Sequence, residues 1–185
     1  LTPSGFLAAR RLSQARIPVN FTLGFSARQN YVAALIAQPA FVNVFMGRLG
    51  AFLADNDLGP GTNVGEKATL ATQRNLITLR KTGVVHTHLI GASMRTGEQV
   101  ATLAGVDVFT MPTKVAKGYR DNPADNITRR VDDDPDVPLN DGVGFADFAG
   151  GTLWEAPRAL RLSTKALAEK DLDSMTADQL QDHFY

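Results

Sequence analysis

Cysteine is absent from the 185 residues. That removes disulfides, thiolate nucleophiles and cysteine zinc sites, and it permits a reducing compartment without requiring one. Net charge is absent as well: 19 basic side chains balance 19 acidic ones, which argues against a general nucleic-acid binder. No apolar run approaches the roughly 18 residues that a membrane span needs, and the opening residues carry no signal-peptide pattern. What is present suffices for folding. With 44% hydrophobic and 21% charged residues, the composition is that of one globular domain with a sizeable core.

The zero net charge conceals an asymmetry. Residues 1–120 carry 13 Lys/Arg against 5 Asp/Glu, and residues 121–185 carry 6 against 14. The front portion therefore projects a positive field that favours an anionic ligand; charge that merely drifts along the chain gives the same arithmetic.

From residue 1 to about 118 the pattern alternates between helix and strand. Pro3 followed by Phe6, Leu7, Ala9 and Leu12 predicts a helix up to Arg16. Ile17 to Phe25 is rich in β-formers, Ser26 is an N-cap for a helix over Ala27 to Gln38, and Ala40 to Met46 is a buried strand. The Gly/Asp/Asn-rich stretch from Gly47 to Gly65 predicts a loop. An amphipathic helix follows from Glu66 to Lys81, then a strand from Val84 to Ala92, a short helix from Thr96 to Ala104 and a strand from Val106 to Met111. Such alternation predicts parallel βα units and an α/β fold. Residues 119–150 are polar and acidic, including Asp132-Asp133-Asp134-Pro135-Asp136, and predict an exposed, solvated loop. Residues 151–185 predict two closing helices, Leu153 to Glu169 and Thr176 to His183, the second with capping-box spacing at Thr176 and Gln179.

Polar residues interrupt the strands at regular parity. Asn20 and Thr22 share a face of the first strand, and Asn43 and Phe45 share a face of the second. Arg48 stands just past the end of the second strand; Ser93 and Arg95 stand just past the third. Parallel sheets place their chemistry at the C-terminal ends of strands, so these residues form a candidate phosphate clamp built on guanidinium hydrogen bonds. Buried amides that merely satisfy backbone groups, and arginines that merely face solvent, fit the same pattern. His86 and His88 also share a strand face, but they lie early in the strand, so no metal site is expected.

Four segments carry a resemblance. Asn20-Phe21-Thr22-Leu23-Gly24-Phe25-Ser26 resembles the N-x-T-L-x-F-S strand of the transaldolase family, and Val44-Phe45-Met46-Gly47-Arg48 resembles its P-F-V-G-R segment. Gly91-Ala92-Ser93-Met94-Arg95 is similar to A-S-F-R, and Leu103-Ala104-Gly105-Val106-Asp107 with Thr110-Met111-Pro112 is similar to L-A-G-x-D…T-I-P. The resemblance implies a (β/α)8 TIM-type barrel, with this chain as its C-terminal half of four parallel strands. It implies a cytoplasmic transferase of the pentose phosphate pathway that needs no cofactor. Such an enzyme moves a dihydroxyacetone unit between sugar phosphates, fructose 6-phosphate and sedoheptulose 7-phosphate, through a lysine Schiff base. Carried over, Asn20 hydrogen-bonds substrate, Thr22 positions the proton-transfer water, Phe45 lines the pocket, and Arg48, Ser93 and Arg95 hold the phosphate. Asn43 stands where many members have serine, which bears on how the substrate hydroxyls are held.

The family's lysine lies in K-x-x-x-T-x-x-G, and Thr2-Pro3-Ser4-Gly5 matches only the latter portion, so the lysine and the acidic proton relay are expected upstream of Leu1. Lys67, Lys81, Lys114 and Lys117 are the substitutes to weigh. Lys67 and Lys81 are expected on a helix far from any strand end. Lys114 follows the fourth strand and is a conceivable substitute, although a surface helix lysine is the expectation there. The chain alone is then expected to be inactive. Two partners would cover its open sheet edges: a complementing N-terminal half, or a second copy in a homodimer. No nucleic acid or membrane partner is expected. A fructose-6-phosphate aldolase-like enzyme and a non-catalytic sugar-phosphate-binding barrel are the competing readings.

Overall fold

The computed structural model describes residues 1–183. The apolar runs become four parallel strands, β1 (Asn20–Phe21), β2 (Phe41–Phe45), β3 (His88–Ala92) and β4 (Val108–Phe109), hydrogen-bonded in chain order. Helix α1 (Pro3–Gln14) leads into β1, and α2 (Ala27–Ile36) joins β1 to β2. Helices α3 (Met46–Asp55) and α4 (Val64–Arg80) join β2 to β3, α5 (Glu98–Thr102) precedes β4, and α6 (Thr113–Asp121) follows it. Sequential parallel strands with helical crossovers form an arc of a (β/α)8 barrel. Among the described residues the arc does not close: β1 and β4 each have a single neighbour.

Strand parity divides the arc into two faces. Phe41 pairs with His88, Asn43 with Ile90 and Phe45 with Ala92, which sets these side chains on the inner face. Val42, Val44 and Leu89 alternate to the outer face, where they are fully buried with Ile36, Ala68, Leu70 and Leu76 of α2 and α4. Helix α2 buries eight of its ten residues. The reason is a further layer: α7 (Gly151–Trp154) and α8 (Arg158–Ala168) pack on the side of α2 away from the strands. The final helix, α9 (Ala177–Gln181), packs on α1 and begins with the expected capping box, Thr176 Oγ1 accepting from the Gln179 N–H at 3.2 Å. Ser26 caps α2 in the same way. Among the described residues no helix is long and apolar enough to cross a membrane.

Three departures from the sequence expectations have physical causes. The Gly47–Gly65 stretch is not a loop throughout, because α3 occupies its first half. Glycine disfavours a helix by about 1 kcal/mol in isolation, yet Met46, Leu49 and Leu53 bury one face of α3, and its glycines permit contacts that a Cβ would block: one on Gly50 would lie 2.8 Å from the Gly61 oxygen. The helix expected over Leu153 to Glu169 is split, because Pro157 cannot continue α7 and becomes the N-cap of α8. The acidic segment is irregular between α6 and a 3-10 turn at Phe145–Phe148 and is mostly exposed as expected, but it is also anchored to the helices. Asp134 lies 2.8 Å from the Lys67 ammonium, Arg74 donates to the backbone oxygens of Val131 and Asp133, and Val131 is fully buried. The strands are also shorter than expected, β1 and β4 each being two residues long.

One ion pair ties the arc to its outer helix. Arg80 at the end of α4 donates two hydrogen bonds to Asp107, at 2.8 and 3.0 Å, and Asp107 also accepts the Leu89 N–H at 3.0 Å. Partial burial works to raise the Asp107 pKa, but the Arg80 and Leu89 hydrogen bonds outweigh it and hold the carboxyl below its usual value. The stabilisation is therefore complete above the ordinary carboxylate pKa and is lost as pH falls through the lowered folded value. Asp107→Asn should cost about 2–3 kcal/mol at neutral pH. Urea unfolding at stepped pH should then show a shallower acid decline for the variant than for the parent chain.

Candidate functional site

The C-terminal ends of β1 and β3 carry backbone strain. Leu23 and Ser93 both adopt left-handed conformations, with φ of 57° and 62°. For residues with a Cβ this costs on the order of 1–2 kcal/mol each, and such strain, once observed, is a pointer to function. Both turns face the C-terminal end of β2, so these three adjacent strand ends converge.

On the inner face, Asn43 is buried and donates through Nδ2 to Asn20 Oδ1 at 2.6 Å and to the Phe21 carbonyl at 3.3 Å. Its own carbonyl accepts from Asn30 Nδ2 at 3.0 Å. Gly24 makes this possible: a Cβ there would lie 2.3 Å from the Asn43 oxygen and 2.9 Å from Asn30 Oδ1. The Asn20–Asn43 pair is thus fixed from both strands, with Asn20 exposed toward the mouth. Phe45 lies 6.1 Å from the Phe25 ring, and the Arg48 guanidinium sits over its face at 5.8 Å. Thr22 lies just beyond the last paired residue of β1 and is exposed.

Gly47 joins the second and third strand ends. Its N–H donates to the Ser93 carbonyl at 3.1 Å, and a Cβ on it would stand 2.2 Å from that oxygen and 2.6 Å from Arg95 Nε. Only glycine allows the Arg95 side chain to cross here. The turn holding Arg95 is braced by Gln99, whose Oε1 accepts the Arg95 and Thr96 N–H groups at 2.7 and 3.2 Å and whose Nε2 reaches Glu66. Arg95, Gly47, Glu66 and Gln99 border a cavity of about 550 Å³ between α3, α4 and α5.

The expected residues therefore fall into two groups. Asn20, Asn43, Phe45 and Arg48 adjoin one another along the inner face and the start of α3. Ser93 and Arg95 meet them through Gly47. Arg48 does not border the cavity that Arg95 borders, so the two guanidinium groups flank the first turn of α3 without sharing that space. None of the lysines lines it either: Lys67 is engaged with Asp134 and lies over the Trp154 ring at 5.4 Å, while Lys114 and Lys117 are exposed on α6. His88 stands at the opposite end of β3, 6.2 Å from Phe41. Among the described residues no three His, Asp or Glu side chains gather as a metal site would require. Asn30, Gln99 and Gly24 are structurally essential to the site, and the sequence pattern does not single them out. A lone amide in the apolar face of α2 is the available signal for Asn30.

Residues 1–182 match the family described as Transaldolase/Fructose-6-phosphate aldolase. A probable transaldolase of Dictyostelium discoideum is 27% identical over 157 residues, covering 83% of this chain and 47% of that protein. One from Desulfatibacillum aliphaticivorans is 37% identical over 125 residues, 66% of this chain and 52% of that protein. A transaldolase of Protochlamydia amoebophila is 29% identical over 139 residues, 75% and 42% respectively. The chain spans about half the length of these relatives.

The glycine contact is directly testable. Gly47→Ala should cost about 1–3 kcal/mol through overpacking, whereas Gly118→Ala, which meets nothing within 4 Å on α6, should be neutral or slightly stabilising. Urea midpoints of the two variants against the parent chain measure the contrast.

Proposed function

The chain belongs to the transaldolase/fructose-6-phosphate aldolase family, and on that premise we propose that it forms the phosphate-gripping half of a transaldolase. The enzyme moves a dihydroxyacetone unit between sugar phosphates, fructose 6-phosphate and sedoheptulose 7-phosphate, as a step of the pentose phosphate pathway in the cytoplasm. The observation that carries this reading is the Gly47 crossing, which seats Ser93 and Arg95 against the first turn of the helix that bears Arg48. A phosphate placed over that turn draws both exposed guanidinium groups to it, and the doubly charged anion is the ligand that two such groups suit best.

In the reaction, a neutral amine attacks the ketose carbonyl and water departs to leave an iminium. The C3–C4 bond then breaks with its electron pair flowing toward the iminium nitrogen, the C4 hydroxyl loses its proton, and an aldose phosphate leaves. The retained three-carbon enamine adds to the acceptor aldehyde, and hydrolysis restores the amine. In this reading Thr22 and a water carry the proton at the C4 oxygen, while Asn20 and Asn43 hold the hydroxyls of the three-carbon unit. Phe45 walls the pocket. The amine is a lysine of the half of the relatives' length that this chain does not span. A complementing half on the open edges of β1 and β4 supplies it, together with the acidic proton relay, and this chain alone does not turn over.

Two measurements test the reading. Borohydride with fructose 6-phosphate should leave the six lysines of the chain unlabelled; a labelled lysine would show that the amine is internal. Calorimetric titration with fructose 6-phosphate should show binding that unphosphorylated fructose lacks. Arg95→Ala and Arg48→Ala should each weaken it by roughly 10- to 100-fold, and undiminished binding in both would remove the proposed grip.

A further inference from the structure

Behind the strands, a second cavity of about 290 Å³ opens between α2, α4 and α8 and shares no lining residue with the one that Arg95 borders. Its wall on α8 carries Arg158, Arg161 and Lys165, which the spacing of three and four residues sets along one helix face. Its remaining wall includes Tyr31, Asn75 and Leu79, and no carboxylate borders it. Like charges one turn apart repel, and among the described residues none of the three cations enters an ion pair. Other cations of the chain are neutralised, as with Arg10 and Asp173 or Lys67 and Asp134.

The other walls carry donors. Tyr31 is only 5% exposed and borders the cavity. Burial raises its pKa while the Arg161 charge opposes the rise, so the phenol stays protonated, a donor lying within the field of Arg161. The Asn75 amide nitrogen is buried and unpartnered. A buried polar group left without a partner costs about 1–3 kcal/mol, and this one borders the cationic hollow.

We propose that this cavity binds a small phosphate-bearing anion, inorganic phosphate or a phosphomonoester. Arg158, Arg161 and Lys165 neutralise it, and the Tyr31 hydroxyl and Asn75 amide donate to its oxygens. A singly charged carboxylate leaves most of the positive charge unanswered, whereas a phosphate offers up to two charges and enough acceptor oxygens for all five groups. The site is separate from the proposed sugar-phosphate grip and stands or falls independently of it.

The test uses the full chain carrying Arg48→Ala and Arg95→Ala, so that the proposed grip is gone, with titration of inorganic phosphate and of glycerol 3-phosphate by calorimetry. Binding should persist and weaken as salt is raised. Adding Arg161→Ala and Lys165→Ala should lower affinity at least about tenfold, and Tyr31→Phe should lower it about threefold, with circular dichroism unchanged. Lys114→Ala with Lys117→Ala, on the exposed face of α6, should have no effect. In the chain with Arg48 and Arg95 intact, the Arg161/Lys165 substitutions should remove one bound phosphate per molecule. The proposal is overturned if neither anion binds the Arg48/Arg95 variant, or if binding there is indifferent to Arg161 and Lys165.

Discussion

The close approach of two backbones at Gly47 is the constraint on which the candidate site depends. The end of β2 and the turn after β3 come within hydrogen-bond distance there, and the Arg95 side chain passes through the space a Cβ would fill. Remove that allowance and Ser93 has to retreat from β2, taking with it the left-handed turn that aims Arg95. Gly24 has the equivalent role at the neighbouring strand, where it lets the end of β1 close on the Asn43 backbone. The two glycines thus convert three strand ends into one surface. The polar side chains on that surface are held by neighbours that are themselves braced: Asn43 by Asn30, and Arg95 through Gln99 and Glu66.

Electrostatics acts at two levels in this arrangement. The basic front and acidic back of the chain are not left facing solvent separately. The segment around Asp134 straps across α4, and Arg10 reaches Asp173 near the end of the chain. These exposed or half-exposed pairs contribute little stability individually, yet they consume the positive charge nearest to them. Among the described cations that enter no ion pair, Arg48 and Arg95 gather around the first turn of α3, and Arg158, Arg161 and Lys165 along one face of α8. Local clustering of cations, rather than the net charge of a chain portion, sets where an anion is attracted.

Periodicity made much of this legible. The alternation of apolar runs and amphipathic stretches located every strand, and Ser26 and Thr176 marked helix starts that their side chains do cap. Arginines just past strand ends, and amides at matching parity on neighbouring strands, fall together on one surface of the fold. Tertiary contact hid the rest. Helix α3 reads as a loop because Gly47 and Gly50 look like turn residues, when their role is to admit neighbouring chain segments that no local pattern reports. The acidic run reads as solvated because its partners, Lys67 and Arg74, lie some sixty residues away along the chain. Gln99 was invisible for the same reason, since its work is to bind a backbone turn and a glutamate of another helix.

The inner face explains why an arc can be well formed and still unfinished. Barrel interiors are ordinarily filled by layers of branched aliphatic side chains; here Val108 is 36% exposed, Phe41 and Phe45 are half-buried, and Asn20 is open to solvent. The outer face has no such deficit, because α2 and α4 cover it and α7 and α8 cover α2. Folding of the arc therefore draws on its helical side, which this chain supplies itself. The interior layer lacks the facing strands that would close it. Under the proposed function those same facing strands would carry the reacting amine, since a substrate held by Arg48 and Arg95 would present its carbonyl across the mouth rather than back toward the helices. On that proposal, closing the barrel and completing the chemistry would be one event, with the burial of Phe41, Phe45 and Val108 contributing to the association that would bring the amine to the sugar.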